Sequence, residues 1–118
     1  MTTKQIAEKL TSLLKEGKFD EVYDTLFDQE KVKHIEPQSP YFPDIKGVKA
    51  IKEKDEIMRG NIAKFHSMEV GEAITSKDFI ALPYKASFTL KDGNKAELDE
   101  IILYQVENGK IILEQFFY

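Results

Sequence analysis

The sequence predicts a single α+β domain in which helices come first and a curved antiparallel sheet follows. Three observations predict it. Apolar residues recur at helical spacing as far as about Ile62, the period changes to strand-like alternation from His66 onward, and the strand-like runs are joined by turns short enough to require antiparallel pairing. At 118 residues, with 42% hydrophobic and 32% charged residues, the chain reads as one globular domain over residues 1–118.

Each element has its own justification. Ile6, Leu10, Leu13 and Leu14 recur at i, i+4, i+7 and i+8, Thr2 with Gln5 has capping-box spacing, and Gly17 follows as a C-cap, giving a helix from about Thr3 to Glu16. A second helix runs from about Phe19 to Phe27, with Val22, Tyr23, Leu26 and Phe27 on one side and Asp20 and Glu21 favouring its N-terminus. Val32 to Glu36 reads as a short strand, and Pro37, Pro40 and Pro43 make the segment from Pro37 to Lys46 a loop at a pocket rim. From Gly47 the stripe Val48, Ile51, Met58 and Ile62 marks a third helix ended by Gly60 and Asn61, with Asp55 where an apolar residue is expected. Four strand-like runs follow: His66 to Thr75, Phe79 to Leu90, Lys95 to Val106 and Lys110 to Tyr118. They are separated by Ser76-Lys77-Asp78, Asp92-Gly93-Asn94 and Asn108-Gly109.

Composition excludes several functions. The net charge is −4 and Arg59 is the only arginine, so a surface of bidentate phosphate-reading groups is absent and nucleic acid is not an expected partner. Without cysteine there are no disulfides, thiolate metal sites or cysteine nucleophile. No apolar run approaches the roughly 18 residues of a membrane span and no signal-peptide core follows Met1, so no membrane association and a cytoplasmic location are expected. No phosphate loop, nucleophile elbow or compact metal-ligand motif is present, and neither a metal nor another cofactor is expected. The run Lys46, Lys49, Lys52 and Lys54 with Glu53, Asp55 and Glu56 reads as a solvated helix face.

Strand parity points to a pocket. Leu98, Glu100, Ile102 and Tyr104 share one face and Ile101 and Leu103 the other; in the last run Ile112, Glu114, Phe116 and Tyr118 oppose Ile111, Leu113 and Phe117. Three short helices cover one face, so the apolar outer face is expected to be covered by a second copy of the chain, a homodimer. On the helix-covered face, Glu100 and Glu114 need pairing or water, because an ionised carboxylate in an apolar interior costs several kcal/mol. Ile80, Leu82, Tyr84, Ala86 and Phe88 supply cavity wall and one phenol, while Pro83 suggests a bulge or an edge. His34 shares parity with Glu36, and His66 belongs on the surface.

The helical hairpin Leu13-Leu14-Lys15-Glu16-Gly17-Lys18-Phe19-Asp20, the strand His34-Ile35-Glu36-Pro37 and the helix start Gly47-Val48-Lys49-Ala50-Ile51 resemble the nuclear transport factor 2-like superfamily. So do the closing strings Asn108-Gly109-Lys110-Ile111-Ile112 and Gln115-Phe116-Phe117-Tyr118, and the resemblance spans essentially the whole chain. This superfamily includes ketosteroid isomerases and SnoaL-like polyketide cyclases. The resemblance implies a cone-shaped sheet wrapped around the helices, an apolar pocket at the wide end and dimerisation through the sheet. It also implies that Glu36, before Pro37, stands where the isomerases carry a general base. Leu10 and Ile102 stand where those enzymes carry oxyanion donors, Asp55 stands at a pocket tyrosine, and Glu114 at an apolar pocket position.

Proton abstraction beside a carbonyl needs a base and donors at the developing enolate oxygen. The expected catalytic set is Glu36 with Tyr84 or Tyr104 as donor, and converging acids that repel one another would keep one protonated and able to donate. His34, Asp55, Leu82, Glu100, Ile102, Glu114 and Phe116 are the expected ligand-binding residues for a small apolar molecule. Two alternatives stand beside this enzyme: a non-catalytic binding or carrier domain for an apolar ligand with a polar or cationic group, and an interaction module using the outer face.

Overall fold

The computed structural model describes residues 1–40 and 42–118. Helix α1 (Thr3–Lys15) opens with the expected capping box: Gln5 N donates to the Thr2 hydroxyl while the Gln5 side chain accepts from Thr2 N. Gly17 follows it at φ 72°, a left-handed turn that leads into α2 (Phe19–Leu26). The third helix, α3 (Val48–Gly60), lies between two short strands, β1 (Lys33–Ile35) and β2 (Asp44–Lys46), and the long sheet. That sheet continues through β3 (Ile62–Val70), β4 (Ile74–Thr75), β5 (Phe79–Leu90), β6 (Lys95–Glu107) and β7 (Lys110–Phe117). Among the described residues no helix is long and apolar enough to cross a membrane.

The strands form one curved sheet in the order β2-β1-β7-β6-β5-β3, with β4 paired to β5 beyond the end of β3. Hairpin pairs are antiparallel as expected, but β1 runs parallel to β7, with His34 opposite Glu114, so the sheet is mixed. The parallel pair is possible because the connection between β1 and β7 contains most of the domain. Asn108 and Gly109, at φ 52° and 74°, form the tight β6–β7 turn that the dipeptide predicts.

Three sequence expectations are corrected. Ile62 opens β3 rather than closing the third helix, and the run to Thr75 is broken between Val70 and Ile74. The break has a cause at Gly71, whose N–H donates to Pro83 O at 2.8 Å and where an added Cβ would lie 2.8 Å from Pro83 Cβ. Since a strand residue's N and O point the same way, the missing Pro83 N–H faces this gap, and Pro83 disturbs neither the β5–β6 ladder nor an edge. The second correction is β2, which pairs antiparallel with β1 inside the segment read as loop; Tyr41 of that segment lies outside the described residues. The third is parity in β7: a register shift beside Gln105 and Val106 leaves Ile112 unpaired, so Ile111 rather than Ile112 joins Glu114 on the inner face.

Packing divides the interior. The narrow end is apolar, with Ile6, Leu10, Leu26, Phe27, Ile80, Leu82 and Ile111 buried against one another. At the wide end the same sheet buries His34, Lys54, Glu100 and Glu114.

Candidate functional site

Three elements deliver the polar wide end. In β1, Val32 just before the strand and His34 within it point inward, and Glu36 follows one residue past the strand. The parallel pairing with β7 sets His34 beside Glu114, and His34 Nδ1 lies 2.8 Å from Glu114 Oε1. From α3, Lys54 follows Ile51 by three residues and shares its inward side, with 3% of its side chain exposed. Its Nζ lies 2.8 Å from His34 Nε2 and donates to Glu36 Oε1 at 2.7 Å and Phe42 O at 3.2 Å. Phe42 reaches that position at φ 51°, an unfavourable backbone region for a bulky residue, and the Lys54 hydrogen bond offsets part of the cost.

Around this chain stand the phenols. Tyr118 donates to Glu36 Oε2 at 2.8 Å, and Tyr23 donates to Asp55 Oδ2, whose carboxylate also faces Arg59 at 3.7 Å. Tyr104 is opposite Glu114 in the β6–β7 ladder and is 1% exposed; Tyr84 is opposite Glu100 in the β5–β6 ladder. The Phe116 ring packs 5.0 Å from the His34 ring.

The carboxylates differ sharply. Burial would push Glu36 up, but His34 at 3.7 Å and hydrogen bonds from Lys54 and Tyr118 hold it down at about 2. Glu100 is 5% exposed, makes no hydrogen bond or ion pair with the described residues, and is pushed up to about 7 by burial and by the charges of Glu36 and Glu114. Asp55 is raised by burial against the opposing hydrogen bond from Tyr23. Burial also lifts the Tyr84 phenol, with help from Glu100, to about 12.

The expected residues therefore separate by place. Glu36, His34, Glu114, Glu100, Tyr84, Phe116 and Asp55 do converge on the wide end, whereas Leu82, Ile102 and Tyr104 are core, at most 4% exposed. Two corrections follow. Glu36, expected as the base, is ion-paired with Lys54 at 2.7 Å, and Tyr104, expected as a donor, is walled in beside Phe27 with Glu114 as its neighbour. Asp55 takes neither Lys52 nor Lys54 as partner: Lys52 pairs with Asp24 at 2.6 Å. His66 is on the surface as expected, 2.7 Å from the Thr89 hydroxyl.

Sequence reading missed Lys54 and Tyr118 as site residues. The signal for Lys54 was present in the spacing Ile51, Lys54, Met58, which puts a lysine within the apolar stripe of α3. Its ammonium sits amid the imidazole and carboxylates where a bound cation would otherwise be sought; among the described residues no group of three or more His, Cys, Asp or Glu side chains is arranged to hold a metal ion.

Comparison with known proteins places this geometry. The family described as SnoaL-like domain matches residues 1–118. A candidate SnoaL-like polyketide cyclase of Mesorhizobium loti is similar at 29% identity over 100% of both chains, with a TM-score of 0.92. A Burkholderia pseudomallei NTF2-like protein of unknown function shares 18% identity over 98% of this chain and 88% of its own, with a TM-score of 0.77. A Xanthomonas campestris protein with a cystatin-like fold shares 18% identity over 99% of this chain and 90% of its own, with a TM-score of 0.81. No protein of curated function matches the sequence.

Proposed function

The chain belongs to the SnoaL-like domain family of the nuclear transport factor 2-like superfamily, and from that premise we propose that it is a proton-transfer enzyme acting on a small, largely apolar carbonyl compound, with Glu100 as the general base. The observation that carries this reading is the contrast between the two mouth carboxylates. A base works best when its proton affinity lies near the operating pH, which suits a carboxyl at about 7 and disqualifies one held at about 2. Glu100 takes a proton from the carbon beside the carbonyl, and the C–H electron pair moves into the enolate. Tyr84, opposite Glu100 across the β5–β6 ladder, donates to the enolate oxygen. The protonated Glu100 then returns its proton to carbon in an isomerisation, or to the new alkoxide when the enolate carbon closes a ring on a second carbonyl. Glu36 is the anchor for Lys54 in this scheme rather than the base.

The test is a panel of enolisable ketones and diketones assayed by deuterium incorporation from heavy water. Glu100→Gln should cut exchange by about 10²–10⁴-fold, and Tyr84→Phe should cut it less. Equal exchange in wild type and Glu100→Gln would refute the assignment.

A second reading is a carrier for an apolar ligand with a cationic group. It is favoured by Leu10 and Ile102, both deep in the core where the related isomerases place their oxyanion donors. In that case ligand raises the melting temperature without turnover, and Glu100→Gln abolishes the rise.

The outer sheet face carries a second proposal, a homodimer. Ile101 and Phe117 are cross-strand partners, 44% and 49% exposed, and Ile74 and Phe79 extend the apolar area along β4 and β5. A second copy, placed by a two-fold axis, would cover this patch with its own equivalent.

A further inference from the structure

Contacts run unbroken from Glu114 through His34, Lys54 and Glu36 to Tyr118, joining the buried end of the site to its mouth. The number of protons in this chain is constrained by which atoms can donate. As a carboxylate, Glu114 accepts at Oε1 from His34 Nδ1 at 2.8 Å, and Nδ1 then carries a hydrogen. Nε2 of the same ring lies 2.8 Å from Lys54 Nζ, and two N–H groups cannot point at each other across that distance. One of the two nitrogens must offer a lone pair. Either a neutral imidazole accepts from an ammonium, or an imidazolium donates to a neutral amine. Both arrangements contain the same protons and the same net charge; they differ only in where the positive charge sits.

We propose that His34 and Lys54 share a single proton, whose position on Nε2 or Nζ decides whether positive charge lies against Glu114 in the interior or against Glu36 at the mouth. In water an imidazole would lose such a competition to an alkylamine by about four units of pKa. Here burial lowers His34, but the hydrogen bond to Glu114 and the Glu36 carboxylate 3.7 Å from Nε2 outweigh that and raise it to about 9. The groups that set the balance come from every neighbouring element: Glu114 from β7, Glu36 after β1, Lys54 and Asp55 from α3, and Glu100 from β6, with Tyr104 and Tyr23 behind Glu114. With the proton on Nζ, Glu36 is held as a weak base. With it on Nε2, Glu36 keeps a hydrogen bond from the amine while the nearest full positive charge moves from Nζ at 2.7 Å to the imidazolium, whose Nε2 is 3.7 Å away, and Glu36 becomes a stronger base. The change needs no proton from solvent. Lys54 is thus a positioning residue that sets the charge seen at Glu36.

Nitrogen-15 spectra of the whole chain, labelled at histidine and lysine and followed from mildly acidic to alkaline pH, test the proposal. The expected result is a His34 Nε2 resonance between the bare and protonated positions at neutral pH, while Nδ1 stays protonated. An Nε2 that reads as fully bare or fully protonated at neutral pH would overturn it. Glu36→Gln keeps an acceptor for Lys54 but removes the charge that favours the ammonium, so it should shift Nε2 toward the protonated position. An unmoved resonance in that variant would also overturn the proposal. These readouts involve neither ligand nor turnover, so their failure leaves the role of Glu100 to its own test.

Discussion

The two faces of the β6–β7 ladder reverse the ordinary distribution of side chains. Glu100, Tyr104 and Glu114 are buried on the concave face, while Ile101 and Phe117, their neighbours in sequence, are exposed on the convex one. The inner polar groups are held by partners on other elements: His34 from β1, Lys54 from α3, Tyr118 through Glu36. Among the described residues the outer apolar groups have no such partners. A buried charge is kept by what neutralises it and an exposed apolar patch by what covers it, so the two faces call for different experiments.

The largest effect should come from removing the cation of the inner face. Lys54→Met leaves the Glu36 and Glu114 carboxylates without it and should cost about 3–5 kcal/mol by urea unfolding; a loss below about 1 kcal/mol would mean that the carboxylates are independently satisfied. The next contrast uses adjacent residues on opposite faces. Ile102→Ala should cost about 2–4 kcal/mol as a buried cavity mutation, whereas Ile101→Asp should leave the protomer nearly as stable and convert the proposed homodimer to monomer in sedimentation. If Ile101→Asp left the sedimentation unchanged, a homodimer through this face would be ruled out.

Within the inner face, the two glutamates should respond with opposite signs. Glu100 titrates at about 7 when folded, above the ordinary glutamate value, so its contribution to stability is complete below the unfolded value of 4.5 and is lost as pH rises through about 7. Glu100→Gln should therefore raise stability at mildly alkaline pH by about 2–3 kcal/mol. Glu36 titrates at about 2, so its contribution is present above the unfolded value of 4.5 and fades as pH falls toward 2. Glu36→Gln should lower stability at neutral pH by about 2 kcal/mol, and the gap from wild type should close in acid. Thermal unfolding of both variants across pH checks the pair. The same sign for both would mean that the two carboxylates share one environment.

The sequence made the outer face and the apolar end of the cone legible because both depend on period and spacing. The alternation in β5 and β6, the capping box at Thr2 and the Asn108-Gly109 turn are local signals, and local geometry obeys them. The inner face was half legible. Parity placed Glu100 and Glu114 inside, but it could not show that β1 would lie parallel to β7 and bring His34 to Glu114 across 80 residues. Strand parity says nothing of Lys54, which only its place on the helical stripe with Ile51 and Met58 sets apart from the other lysines of its charge run. The role expected of Glu36 changed because its partners come from α3 and from beyond the end of β7.

The most direct test of the account is the titration of the Glu100 side-chain carboxyl by carbon-13 resonance in the wild-type protein. A midpoint near 7, well above that of Glu36, is the predicted result. A midpoint at the ordinary glutamate value near 4.5 would show a compensated or solvated carboxylate and remove the base from the proposed reaction.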